Sequence, residues 1–537
     1  MSRTHSLNEL VHHFVLDNAA KRPDATAVVH GRRILNYAHL GEAIEACGRG
    51  FLALGLAPSE RVAVYLPKCP ETVTALFGAA AAGGVFVPIN PLLKPRQVAY
   101  ILRDCNVRVL VTAGDRIDLL QNELAECHDL RSLVLIDPPA QGVEELAHLT
   151  IASWANLISL GANQPLGHRR IDSDMAAILY TSGSTGRPKG VVLSHRNLIA
   201  GAQSVAHYLG NNPNDRLLAI LPLSFDAGFS QLTTAFSAGA SVALMEYLLP
   251  KDVIKNVVRE RITGITAVPP LWIQLAPLTW PPEAVDSLRY IANTGGRMPK
   301  AVTATLRRSL PQTKVFLMYG LTEAFRSTYL PPEEVDKRPD SIGKAIPNAE
   351  ILVVREDGSL CAPGEPGELV HRGPLVAMGY WNAPEKTSER FRPAPGQPAE
   401  LPLTEIAVWS GDTVRMDEEG FLYFVTRQDE MIKTSGYRVS PTEVEEVLYE
   451  TGLISEVAVV GAPHPKLGQG IIAVVKPNQA DFDPEHLLSA CRAELPNFMV
   501  PLTVITSNAL PRNTNGKIDR RALAAEFESL FKEQSAP

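Results

Sequence analysis

From the N-terminus to about residue 170, short β-branched runs alternate with longer segments of helical periodicity. RVAVYLP (Arg61–Pro67) and VRVLVTA (Val107–Ala113) read as buried strands, while ETVTALFGAAAAGG and PRQVAYILRDC read as the helices between them. That alternation predicts a parallel sheet covered on both faces. After the loop Ser159–Arg170, AAILYTS follows as another strand, and the α/β alternation resumes through RLLAILPL, ASVALME, ITGITAVPP, LRYIANTGG and TKVFLMYG.

Past Pro331 the texture changes. AEILVVREDGSLCAPGEPGELVHRG has strands broken at DG and PGEPG turns, and GDTVRMDEEGFLYFVTRQDEM reads as two strands joined at DEEG. Both point to a small antiparallel barrel or meander. RPAPGQPAELP (Arg392–Pro402) is a Pro-rich surface loop. From Ile432 a further unit follows: PTEVEEVLYE as helix, VAVVGAP and IIAVVKP as strands, PEHLLSACRAEL as helix. The pattern predicts an α/β chain: a large N-terminal domain (1–428) of two α/β subdomains plus a small β-barrel, then a small α+β C-terminal domain (429–537).

Composition narrows the function classes. The 537 residues allow about three or four domains or subdomains at roughly 150 residues each. A formal net charge of -7 implies no basic face, so nucleic acid is not the expected partner. The six cysteines are scattered without a CxxC pair, as free thiols in a reducing cytoplasm would be. The thirteen histidines form no HExxH cluster. The opening MSRTHSLNELVHHFVLDNAAKRP reads as an amphipathic helix without a signal core. The apolar stretch Ala75–Ile89 is shorter than the ~20 residues of a membrane span. A soluble, cytoplasmic protein is expected.

One interruption of the pattern carries chemistry. In ILYTSGSTGRPKGVVLSH a strand breaks into hydroxyls, glycines and cations and then resumes. Thr181, Ser182, Ser184 and Thr185 supply hydroxyls; Gly183 and Gly186 let backbone N–H groups approach a ligand; Lys189 adds a cation. That composition suits a polyphosphate. The order is not GxxxxGK[ST], and Pro188 argues against a helix starting there, so the anion is not expected on a helix N-terminus.

YTSGSTGRPKGV resembles the phosphate-binding signature of the adenylate-forming superfamily, which includes acyl-CoA synthetases, adenylation domains of peptide synthetases, and luciferases. MYGLTEA (Met318–Ala324) resembles its YGxTE motif, Ser410–Glu445 its GD and R-x-D-x-x-I-K-x-x-G-x-R block, and LPRNTNGKIDRRAL (Leu510–Leu523) its C-terminal lysine motif. The matches keep the family's order and, with the N-terminal region, cover essentially the whole chain.

The resemblance implies activation of a carboxylate by ATP to an acyl-adenylate, with release of pyrophosphate. It implies that the Thr181–Lys189 loop holds the β- and γ-phosphates, that Thr322 contacts the α-phosphate and that Glu323 binds Mg²⁺. Tyr319 would stack on adenine, with Gly320 also in the ATP site; Gly295 and Gly296 would let the backbone approach the adenine edge; Asp412 would accept hydrogen bonds from both ribose hydroxyls, and Arg427 would reach the ribose or phosphate region. Lys517 would bridge the acid's carboxylate and the charge developing at phosphorus. Asp429 would be the hinge of a mobile C-terminal domain, and Ser435, Gly436 and Tyr437 a loop used in the thioester step.

The acyl pocket is implied to involve Phe225, Asp226, Ala227, Ser230, Ala267, Ala292, Thr294, Met318, Arg326 and Ser327. PLSFDAG departs from the PxFHxxG of many acyl-CoA synthetases and resembles amino-acid adenylation domains. Asp226 would then pair with a substrate ammonium, or else cap a helix starting at Ala227. Arg326 would meet a polar or acidic substrate end or face solvent. Residues 518–537 contain no LGGxS-like carrier segment, so an external thiol is expected: CoA, or the phosphopantetheine of a carrier protein in trans. Two other readings stand beside the ligase: a non-catalytic nucleotide-binding protein on the same fold, and an oxidase of the luciferase type.

Overall fold

A computed structural model describes residues 9–139, 146, 149–165, 167–181, 188–398, 400–427, 431–479, 481–512 and 518–531. Both predicted α/β series are present as parallel sheets. In the first, the strands Arg61–Tyr65, Val85–Pro88, Val107–Thr112, Ser132–Leu135 and Thr150–Ser153 run parallel. In the second, Arg216–Ala219, Ser241–Leu244, Gly264–Ala267, Tyr290–Asn293 and Lys314–Tyr319 do the same. Burial is nearly continuous along the inner strands, as helices on both faces require, while the edge strand Thr150–Ser153 is mostly exposed.

The antiparallel meander past Pro331 is also present, paired as predicted across the DEEG turn (Ile406–Met416 with Leu422–Arg427). It continues the second sheet: Thr328–Leu330 pairs with Tyr319's strand on one side and with Ser341–Ala345 on the other. Together these strands form one 14-stranded sheet among the described residues. The chain's first strand also joins this second sheet, although its place in the sequence puts it with the first series. Thr26–His30 lies parallel to Ser241–Leu244, and the Tyr37 hydroxyl donates to the Ala240 carbonyl at 2.6 Å.

The smaller C-terminal domain has its own sheet and two apolar clusters. Ile454–His464 and Gly468–Pro477 form a long antiparallel pair, covered on one side by the helices Pro441–Glu450 and Pro484–Glu494 and on the other by Arg520–Glu526. Gln97 Nε2 of the large domain donates to Glu443 Oε1 at 2.9 Å, and Arg96 pairs with Glu450 and Glu494. The proposed boundary at Asp429 lies outside the described residues. Among those described, no helix is long and apolar enough to cross a membrane. The six cysteines are free thiols, five of them buried.

Candidate active site

The polar loop of the opening motif connects two antiparallel strands, Met175–Thr181 and Lys189–Ser194, with Thr181 and Lys189 in register. Lys189 thus starts a strand, in keeping with Pro188 before it. The Tyr100 hydroxyl fixes the loop's exit, donating to the Pro188 carbonyl at 3.1 Å. Ser182, Gly183, Ser184, Thr185 and Gly186 lie outside the described residues.

Thr181 and Lys189 open onto a cavity of about 740 Å³. Its walls include Gly295, Gly296, Tyr319, Gly320, Thr322 and Glu323, all from the C-terminal ends of the second sheet's strands or the turns after them. Such ends are where open α/β sheets bind ligands. Gly295 has φ +76, a left-handed value that L side chains rarely adopt. Asn293 donates to the Gly296 carbonyl at 2.8 Å and leaves its own buried Oδ1 without a partner among the described residues. An adenine amino group is the kind of donor that would satisfy that oxygen.

Glu323 has a neighbour that sequence reasoning missed. The Tyr380 hydroxyl donates to Glu323 Oε1 at 2.6 Å, and Lys189 Nζ sits 4.9 Å from the centre of the Tyr380 ring. Tyr380 comes from a two-residue strand paired with Lys189's own strand. The aromatic in MGYWN was its only sequence signal. Burial pushes the Tyr380 hydroxyl up, reinforced by the adjacent Glu323 carboxylate. Burial lowers the Lys189 ammonium, while Glu323 opposes that shift.

Other predicted residues fall differently. Asp412 is buried and off the cavity wall; it accepts a 2.5 Å hydrogen bond from the Tyr319 hydroxyl. Tyr319 therefore stands between it and the cavity. The Arg427 side chain lies outside what is described. Of the pocket candidates, Phe225, Asp226, Ala227, Thr294, Met318 and Arg326 line the cavity. Ser230 lines a smaller one behind it. Ala267 and Ala292 are fully buried in the sheet, and Ser327 is turned away into a 2.9 Å hydrogen bond with His371 Nδ1.

Asp226 occupies the first turn of the helix Asp226–Ser237, one residue inside its N-cap. The helix therefore starts one residue earlier than expected, and Asp226 is not its cap. Its carboxylate has a cationic partner already: Arg326 Nη1 at 3.1 Å. Arg326 does not face solvent; it is 2% exposed. Burial raises the Asp226 carboxyl while the guanidinium holds it down.

The C-terminal domain closes one side of the cavity with the hairpin Ile432–Thr434/Tyr437–Val439. Ser435 (φ +52) and Gly436 (φ +84) make its tight turn. A Cβ on Gly436 would lie 2.7 Å from Val268 Cγ2 of the large domain. Tyr437 stacks on Phe498 at 3.7 Å and meets Phe225 edge-on at 5.2 Å. Lys517 lies outside the described residues; Arg512 and Ile518, on either side, bridge to each other.

A cleft at the strand ends, roofed by a small α+β domain, is the architecture of an adenylate-forming enzyme. The chain belongs to the AMP-binding enzyme family: the family model matches residues 15–381, and the AMP-binding enzyme C-terminal domain matches 443–517. It is 31% identical over 518 residues to a linear gramicidin synthase of Brevibacillus parabrevis, covering 96% of this chain but 10% of that protein. It is 29% identical to a long-chain-fatty-acid–CoA ligase of Bacillus subtilis, covering 97% of this chain and 95% of the relative. Among solved structures, the o-succinylbenzoate CoA synthetase of Bacillus subtilis with a bound product analogue matches with TM-score 0.81 at 25% identity, over 95% of this chain and 97% of that one. The same synthetase with its acyl-adenylate intermediate matches over the same shares with TM-score 0.67.

Proposed function

We propose that this chain is an ATP-dependent, AMP-forming acid–thiol ligase. It activates a carboxylic acid to an acyl-adenylate, releasing pyrophosphate, and passes the acyl group to CoA or to a carrier protein's phosphopantetheine. The observation that carries this reading is the convergence of Lys189, Thr322 and Glu323 on one cavity whose mouth holds the 435–437 hairpin.

Carboxylate attack on the α-phosphorus needs charge neutralisation and in-line alignment more than covalent help. Lys189 and the Thr181–Gly186 loop are assigned to the β- and γ-phosphates, Thr322 to the α-phosphate, and Tyr319, Gly295, Gly296 and Asn293 to adenine. Asp412 and Arg427 are assigned to the ribose once Tyr319 shifts. Glu323 is a single carboxylate, and no group of three or more His, Cys, Asp or Glu side chains is positioned for a metal among the described residues. It suits Mg²⁺, a hard cation that keeps waters and shares phosphate oxygens; bound there, the ion would offset triphosphate charge. Tyr380 holds the Glu323 carboxylate in place for it.

Lys517 is assigned to the adenylation step and the Ser435–Tyr437 hairpin to the thioester step, with residue 429 as the hinge between domains 1–428 and 429–537. The better superposition on the product-analogue complex than on the acyl-adenylate complex supports reading this arrangement as the thioester-forming one.

The test is acid-dependent ATP–pyrophosphate exchange, followed by thioester formation with CoA and with a phosphopantetheinylated carrier. Exchange should require an acid and be abolished by Lys517→Ala. ATP binding without exchange for any acid would leave a nucleotide-binding protein instead.

A further inference from the structure

The Asp226–Arg326 pair is more than a neutralised carboxylate. The described hydrogen bonds of the guanidinium both leave from Nη1, to Asp226 Oδ2 at 3.1 Å and to the Phe325 carbonyl at 3.2 Å. Nε is buried without a partner among the described residues. Nη2, beside Nε on the same edge, has no hydrogen bond among the described residues and is not shut off as Nε is, so it is the donor left for another acceptor. A guanidinium N–H that gains an acceptor inside the cleft gains binding.

Arg326, Ala227 and Met318 also form a partition. On one side is the large cavity; on the other is a space of about 20 Å³, edged by Ser230, Thr234 and Tyr290. That space has room for about one water molecule, so the partition is the floor. The floor is close to the reacting end: a Cβ on Gly320 would stand 3.1 Å from Arg326 Cα, and Thr322 follows two residues later. An extended alkyl tail aimed at this floor could pass it only by breaking the buried pair. Because Asp226 already neutralises Arg326, a second anion placed there would itself be an uncompensated buried charge.

We propose that the Asp226–Arg326 pair selects a short acid whose tail ends in a neutral hydrogen-bond acceptor, a keto or hydroxyl oxygen, bound to Nη2 of Arg326. This inference rests on the ligase reading and names its substrate class. It also removes Asp226 from the role of ammonium partner.

The test is pyrophosphate release with four acids: pentanoate, 4-oxopentanoate, glutarate and dodecanoate. The expected result is a kcat/KM for 4-oxopentanoate at least about tenfold above pentanoate and above glutarate, with dodecanoate lowest. Arg326→Gln should bring the 4-oxopentanoate/pentanoate ratio close to one. Because that change strands Asp226, the double variant Asp226→Asn/Arg326→Met, which removes both charges, is measured beside it. There the same ratio should collapse and dodecanoate should gain about tenfold relative to pentanoate. Dodecanoate or glutarate as the best wild-type substrate, or an unchanged ratio in both variants, would overturn the proposal while leaving the ligase reading intact. Release with none of these four acids would overturn this proposal, and the ligase reading would fall only if no other acid supports ATP–pyrophosphate exchange.

Discussion

Tyr380 shows how a residue without a motif can enter a site. Its hydroxyl and Lys189 both bear on Glu323. Glu323→Ala should lower kcat for pyrophosphate exchange by about 10²–10³-fold, as loss of one preorganised charge-stabilising group does. Tyr380→Phe should cost less, about tenfold, and should raise the Mg²⁺ concentration needed for half-maximal rate; a magnesium titration of both variants reads this. A buried carboxylate far from the cavity makes a different prediction. Asp215 receives Arg289 Nη2 at 2.6 Å and Nε at 2.8 Å, together with the Thr263 hydroxyl at 2.7 Å. Asp215→Ala takes the carboxylate from a guanidinium that is partly exposed and keeps the Gly210 carbonyl as acceptor. Urea unfolding should show the large domain destabilised by about 1–3 kcal/mol.

Among the elements, the hairpin Ile432–Thr434/Tyr437–Val439 and the helix Pro441–Glu450 decide how the small domain meets the large one. Gly436 is required twice, by its positive φ and by the approach of Val268. Gly436→Ala should cut thioester formation by about 10–100-fold, the equivalent of 1–3 kcal/mol of strain, and affect pyrophosphate exchange far less; the two half-reactions are assayed separately. Glu443, packed against Gln97, is pushed up to about 7 by burial. Its ordinary value is 4.5, so this domain arrangement takes up a proton. The arrangement is therefore most favoured below pH 4.5, weakens as pH rises towards 7, and levels off above it. Inter-domain fluorescence transfer measured from pH 5 to 8 should show that slope in the wild type and lose it in Glu443→Gln. The strands and helices were legible because alternation of apolar runs is local. The membership of Thr26–His30 in the second sheet was not, because its partner lies more than two hundred residues away.

At the scale of the whole molecule, a ligand held by the cleft should raise the apparent stability by mass action. With MgATP at about 100 times its dissociation constant, the large domain should gain about 2.7 kcal/mol, visible as a higher unfolding midpoint in a thermal scan. Lys517→Ala should retain that gain, since the residues proposed to hold the triphosphate all precede the proposed hinge.

The order of motifs, the α/β alternation and the turn chemistry could be read along the chain because they depend on neighbours a few residues apart. Loop composition suits a polyphosphate, since glycine N–H, hydroxyl and ammonium groups can all contact phosphate oxygens; residues 182–186 themselves lie outside the described residues. What Asp226 touches was decided in three dimensions. Its partner lies 100 residues downstream, and Tyr380 reaches Glu323 across 57. Burial sets the strength of both contacts, and burial follows from how the sheets stack rather than from any local pattern. Charge pairing inside the pocket belongs to the tertiary structure.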